Sequence, residues 1–331
     1  MSLAVDAGMG PMLHHLIENG QLESDAASAE LIEAADMTAR VLHRKMVQSV
    51  HQCLIELNRA GIIPTTLKGI DVAVRYYPKP HWRLMRDVDL FFESHEIDET
   101  MALLGEMGFE NPTPEPASRW DSHHHLVPLW NRDMGLWIEV HRGLVPHYSP
   151  FIESHLGCAE TVSEHSVQGD FCGAKVKQLK PEFMLRYLAA HWYLGLIEDF
   201  GEPGLHRALI DVKFLLAGSH LPVLGSLTND RVGIAIALML MVLSRSFLIE
   251  LDPAQVNEDV RKRTTLTGHL GRSLCWIVEH WVCNCRSPRR ESVQLLLGDW
   301  FRIALENPAS RFWPEALMSA SKRFIGGINQ Y

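Results

Sequence analysis

The stretch Asp87-Val88-Asp89-Leu90-Phe91-Phe92 constrains the fold more than any other part of the chain. Side chains of a β-strand alternate between two faces, so Asp87 and Asp89 point one way while Val88, Leu90 and Phe92 point the other. One face needs an apolar core. The other needs a counter-charge, because a carboxylate withdrawn from water is costly without one. The segment therefore predicts a strand over 87–92 whose acidic side borders a cleft.

The neighbouring punctuation builds an α/β unit around that strand. Residues 24–60 are rich in Ala, Leu, Glu and Met, contain neither Gly nor Pro, and stop at Gly61, which predicts one long helix. Ile62–Leu67 has strand composition. Gly69–Tyr77 predicts a helix that ends before Pro78 and Pro80, and Ile97–Met107 a second one closed by Gly108. A proline-rich loop occupies 110–118. His124–Trp130 and Leu136–Leu144, separated by the turn composition of 131–135, predict two antiparallel strands. After Pro150 strand signals thin out, and 181–200, 206–218, Val232–Leu243 and Leu274–Cys283 suit helices. The expected fold class is α+β: a small mixed-sheet core over 61–150, a helical N-terminal lead-in over 1–60 and a helical C-terminal domain over 151–331.

Charge and cysteine usage narrow the function classes. Lys and Arg total 31 against 40 Asp and Glu, a formal net charge of -9. That sign disfavours a long nucleic-acid groove, which needs a basic stripe. The six cysteines (Cys53, Cys158, Cys172, Cys275, Cys283 and Cys285) show no disulfide-framework spacing and suit free thiols of a reducing cytoplasm. The last three lie near His280 but lack the paired spacing of a tetrahedral zinc site, so buried thiols are the expectation. The N-terminus has no basic, apolar leader, and the longest apolar run, Val232–Leu243, is too short to cross a bilayer. A cytoplasmic location without a membrane partner is expected.

The acids carry the chemistry. Two carboxylates side by side raise each other's pKa unless a cation sits between them. A hard divalent ion fits, and Mg2+ typically takes one or two protein carboxylates plus substrate phosphates. Glu139 lies mid-strand in Trp137-Ile138-Glu139-Val140-His141. Three acids on neighbouring strands can hold two Mg2+ or Mn2+ ions for in-line phosphoryl or nucleotidyl transfer. An Asp-x-Asp by itself is equally at home at a surface strand end; its company is what gives it weight. Lys68 and Gly69 open a helix whose exposed N–H groups attract anions. Arg83 and Arg86 either bind phosphate or neutralise the aspartates. His123, His124 and His125 invite a zinc reading, yet alternation along a strand keeps three consecutive residues from one ion. That leaves His125, and His141 on the face of Glu139, as candidates to line an acceptor side. His191 and Asp211 lie on predicted helices. Asp211 either pairs with Arg207 or Lys213 or serves the acceptor, and Trp192 and Tyr193 suit core packing.

In order along the chain, Leu67-Lys68-Gly69, Tyr77-Pro78, Arg83 to Phe92, a helix ending in Gly108-Phe109, His124 to Trp130 and Ile138 to His141 resemble an uncharacterised nucleotidyltransferase family (NTP_transf_5) of the polymerase-beta-like superfamily. The motif-bearing match covers about 61–145, and a weaker likeness runs on through the helical half with His191 and Asp211. The resemblance implies a helix opened at Gly69 under the triphosphate and metal ligation by Asp87, Asp89 and Glu139; Lys68, Arg83 and Arg86 are the nucleotide-binding candidates that their charge and position suggest. It also implies transfer of NMP from an NTP to a small-molecule, sugar-phosphate or modified-peptide acceptor with release of pyrophosphate. The superfamily usually has Gly-Ser where this chain has Lys68-Gly69. A non-catalytic nucleotide-binding or regulatory module on the same fold, and a two-metal phosphohydrolase, stay as alternatives.

Overall fold

The computed structural model describes residues 5, 8–112, 120–121, 123–146, 149, 151–154, 156, 158–198, 204–219, 221 and 230–245. Most of the proline-rich loop and the predicted helix Leu274–Cys283, with Cys275, Cys283, Cys285 and His280, lie outside the described residues. The described residues divide into two compact units. The first holds those up to 144 with 158–184 and 217–219; the second holds those of 145–157, 185–216 and 220–245.

The fold is α+β. In chain order the first unit opens with helix α1 (Gly10–Glu18) and the long α2 (Ala26–Arg59). Asp25 caps α2, accepting from the Ser28 backbone N–H at 2.9 Å, which satisfies one of the orphan donors of a helix start. Strand β1 (Thr65–Thr66), helix α3 (Lys68–Tyr76), strand β2 (Asp87–Phe91), helix α4 (Ile97–Glu106) and strands β3 (Leu129–Asn131) and β4 (Leu136–His141) follow. Helix α5 (Ala159–Glu164) then leads into strands β5 (Ser166–Phe171) and β6 (Ala174–Leu179). The six strands form one mixed sheet in the order β3-β4-β2-β1-β6-β5, with β2/β4 and β1/β6 parallel.

The hairpin β5–β6 corrects the expectation that strands end near residue 150. Its turn, Cys172-Gly173, has φ of 53° and 95°, the two positive values that a right-twisted two-residue hairpin requires. Its strands are mostly polar and half exposed, so the apolar periodicity by which a strand is usually recognised is weak. The strands predicted over 62–67 and 124–130 shorten to two and three residues. Of the described residues 123–128, only His125 makes a bridge, to His141.

One sheet face is apolar and the other is not, as the alternation demands. Val88, Leu90 and Phe92 pack with Leu136, Ile138 and Val140 and with Val50, Cys53, Leu54 and Leu57 of α2. Two polar clusters fix the elements that reach the opposite face. Asp36 of α2 accepts from Arg40 Nε at 2.6 Å and from His81 Nε2 at 3.1 Å, anchoring the turn that leads to Arg83. Asp71 of α3 accepts from Thr66 Oγ1 at 2.9 Å and Arg75 at 2.7 Å, while Arg75 also reaches the Leu179 carbonyl at 2.9 Å. Burial pushes Asp71 up to about 6 against the pull of Arg75.

Helices α6 (Pro181–Glu198) and α7 (Gly204–Ser219), each mostly in the second unit, and α8 (Arg231–Arg245), wholly in it, supply that unit's described architecture. Each matches a predicted helix over its described residues. Asp230 accepts from the Gly233 N–H at 2.8 Å at the start of α8 and pairs with Arg186 at 2.7 Å. Trp192 and Tyr193 are buried, and Tyr193 meets Phe151 edge to face at 5.2 Å, so both serve packing.

The Asp71–Arg75 pair yields a stability prediction. Arg75→Met leaves a buried carboxylate uncompensated and should cost roughly 3 kcal/mol at pH 7.5, read by urea denaturation. A raised folded pKa means that stability is kept below the unfolded value and lost as pH rises through the folded one. The Asp71 pKa rises further without Arg75, so the loss should shrink at pH 5.

Candidate active site

The site grows from the in-register parallel pairing of β2 and β4. Asp87 stands opposite Trp137, Asp89 opposite Glu139 and Phe91 opposite His141. Paired residues of adjacent strands share a face, so Asp89 and Glu139 are lateral neighbours and His141 follows Glu139 two residues along. His141 Nε2 lies 2.8 Å from Asp89 Oδ1 and 3.4 Å from Glu139 Oε2. One donor atom from each of the three residues falls within 4.8 Å of the others. Such a mixed oxygen and nitrogen set, tightly spaced on two adjacent strands, fits a divalent metal ion.

The counter-charge for the acidic face is local. Lys68 Nζ sits 3.3 Å from Asp89 Oδ1. Lys68 is the first residue of α3 and holds φ 37°, a left-handed backbone that costs a non-glycine residue about 1 kcal/mol or more. A Cβ on Gly69 would stand 3.2 Å from Met85 Cγ, a tight contact from which the Met85 side chain must give way by a few tenths of an ångström, and 3.5 Å from an Arg83 guanidinium nitrogen. No side chain caps this helix start, so its first N–H groups have no intrahelical acceptor. Arg83 acts on Asp87 electrostatically and donates to the Leu84 carbonyl at 2.8 Å. Arg86 is exposed and forms no ion pair among the described residues; it does not neutralise the aspartates in this structure.

Asp87 lies at the exposed start of β2, outside the tight triad. Desolvation by the surrounding protein, then repulsion from Asp89 and Glu139, pushes it up to about 6 against Lys68 and Arg83. Burial also works against the Glu139 carboxylate, but the His141 hydrogen bond and the nearby His125 and Lys68 hold it below its ordinary value. Burial would lower His141, yet its hydrogen bonds to Asp89 and Glu139 raise it. His125 is pushed down to about 4, chiefly by burial, against the pull of Glu139.

The histidine triplet behaves differently from a strand. His123 and His124 lie in irregular backbone, so alternation does not apply. The His124 and His125 rings stand 5.1 and 5.4 Å from that of His141, and the His123 ring 5.6 Å from that of His125. Arg142, which no motif singled out, holds this loop. Its guanidinium donates to the carbonyls of Trp120 at 2.8 Å, Asp121 at 2.6 Å and His123 at 3.0 Å. Its place directly after the Glu139–His141 strand was the only signal available. His191 and Asp211 belong to the second unit, His191 exposed and Asp211 buried.

A model of an uncharacterised nucleotidyltransferase family matches residues 1–224. The chain belongs to that family. No curated protein and no solved structure matches it. Its description supports transferase activity of the nucleotidyl class, and the Asp89–Glu139–His141 group supports a divalent metal. No helix among the described residues is long and apolar enough to cross a membrane.

The acids give a pH prediction. A group raised as Asp87 is, from 3.8 to about 6, contributes stability that is present below pH 4 and lost as pH rises through 6. Asp87→Asn should therefore raise the melting temperature of metal-free protein at pH 8 and leave it little changed at pH 4. Wild-type protein should gain a larger thermal shift from a divalent cation at pH 8 than at pH 5, because ligands must shed protons to bind metal. Equal shifts at both pH values would count against a shared metal site.

Proposed function

We propose that the protein is a metal-dependent nucleotidyltransferase of the polymerase-beta-like type. It moves NMP from an NTP to a hydroxyl or phosphate of a small acceptor, a sugar phosphate or a modified peptide, and releases pyrophosphate. The observation that carries this reading is the placement of Asp89 beside Glu139 on parallel strands, with the uncapped start of α3 and Lys68 at the same carboxylate. Family membership supports the reaction class.

A bound Mg2+ or Mn2+ would supply charge neutralisation at the phosphates and a more acidic acceptor oxygen. Asp87, Asp89 and Glu139 would hold it. The first N–H groups of α3, at Lys68 and Gly69, would meet the phosphate chain as helix starts meet anions. Lys68 and Arg83 would supply positive charge beside those phosphates, and Arg86, exposed, is a further phosphate-binding candidate. The acceptor oxygen forms a bond to the α-phosphorus while the bond from that phosphorus to the pyrophosphate oxygen breaks. Glu139 takes the acceptor proton. His125 donates from Nδ1 to the Leu126 carbonyl at 2.7 Å, which leaves Nε2 as a hydrogen-bond acceptor, and in this reading it would serve the acceptor.

The aspartate on β2 and the glutamate on β4 should separate in kinetics. Asp89→Asn should abolish metal-dependent NTP binding as read by calorimetry. Glu139→Gln should keep most of the affinity and lower the single-turnover rate by about three orders of magnitude, as for an interaction expressed in the transition state. Wild-type turnover in Glu139→Gln would make Glu139 a structural residue. Nucleotide binding with no pyrophosphate released across a broad acceptor panel would favour a non-catalytic module.

A further inference from the structure

The Asp89–Glu139–His141 group contains a nitrogen where an Mg2+ site is ordinarily all oxygen. We propose that this centre takes a divalent first-row transition-metal ion in preference to Mg2+, with His141 Nε2 as a direct ligand beside Asp89 and Glu139. The proposal rests on the metal-site part of the nucleotidyltransferase reading: it keeps Asp89 and Glu139, adds His141 as a nitrogen ligand and changes the class of ion.

Spacing is the first support. Adjacent ligands of an octahedral ion with bonds of about 2.1 Å stand about 3.0 Å apart, and opposite ligands about 4.2 Å. His141 Nε2 lies 2.8 Å from Asp89 Oδ1 and 3.4 Å from Glu139 Oε2, and the three donor atoms stay within 4.8 Å of one another. The set can close on one ion with small side-chain shifts.

The second support is the far side of the ring. A metal-bound histidine characteristically donates its other N–H to a carbonyl or carboxylate, which fixes ring orientation and the ligating nitrogen. His141 Nδ1 faces the Gly143 carbonyl at 3.3 Å, so Nε2 is the atom aimed at the acids. The side chain is 0% exposed, so close packing holds Nε2 beside the acids. Imidazole nitrogen suits the later first-row ions, whereas Mg2+ favours oxygen and retained water. His125, whose Nδ1 likewise meets a carbonyl and whose ring lies 5.4 Å from that of His141, is the alternative nitrogen donor.

The test uses full-length protein stripped with a chelator. Titrate Mg2+, Mn2+ and Co2+ by calorimetry without nucleotide, and record pulsed electron paramagnetic resonance on the Mn2+-loaded protein. Affinity should rise in the order Mg2+, Mn2+, Co2+, with Co2+ bound roughly 100-fold more tightly than Mg2+. A directly bonded 14N coupling should appear in wild type, disappear in His141→Gln and persist in His125→Gln. His141→Gln should also narrow the Co2+/Mg2+ gap about tenfold. Equal affinities, an all-oxygen Mn2+ environment in wild type, or no metal binding at all would overturn the proposal; the wild-type spectrum requires no variant to fold. Coupling that survives His141→Gln and vanishes in His125→Gln would overturn the assignment to His141. Nitrogen-coupled Mn2+ in a protein that never releases pyrophosphate would sink the transferase reading and leave this one standing. Mg2+-driven turnover with an all-oxygen shell would do the reverse.

Discussion

The parallel pairing of β2 with β4 is the interaction on which the rest depends. Its register, Asp89 against Glu139 and Phe91 against His141, brings together on one face groups that lie about fifty positions apart in sequence. On the other face the same register stacks Val88 and Leu90 against Ile138 and Val140 over α2. A slip of one residue would turn the acids into that core. The buried apolar face therefore enforces the geometry of the polar one, and the α2 core acts as the positioning device of the site.

A concentration of acids on one face is unfavourable in the absence of cations, and the fold supplies several. Lys68 and His141 meet Asp89, and Arg83 offsets the charge on Asp87. Lys68 does so from a left-handed backbone, and strain of this kind clusters where function over-determines the chain. Asp87 remains raised to about 6, first by burial and then by repulsion from Asp89 and Glu139, against Lys68 and Arg83. A carboxylate cluster left in that condition is one that a divalent ion would relieve.

Much of the site was legible from local pattern. The acidic alternation of 87–92, the helix opened at Lys68-Gly69 and the mid-strand Glu139 all appear where their residue types required. The helix ends at Gly61 and before Pro78 were also clear, because glycine and proline act on their own backbone. Two features read differently. The histidine triplet looked like a strand, whereas irregular backbone clamped by Arg142 bunches its rings together. The hairpin 166–179 lacked an apolar stripe because half of its surface faces water, and only its Cys172-Gly173 turn could have announced it.

The sequence by itself determined which side chains share a face and where helices begin and end, since both follow from backbone periodicity and from single residues acting locally. Only tertiary structure decided that β6 pairs in parallel with β1, so that the sheet extends beyond residue 150. Tertiary structure alone also placed His141 against both Asp89 and Glu139, making it part of the triad while Asp87 lies outside. Both outcomes rest on register between strands distant in sequence. Register is set by packing an entire apolar face at once, a property that no local window of residues contains.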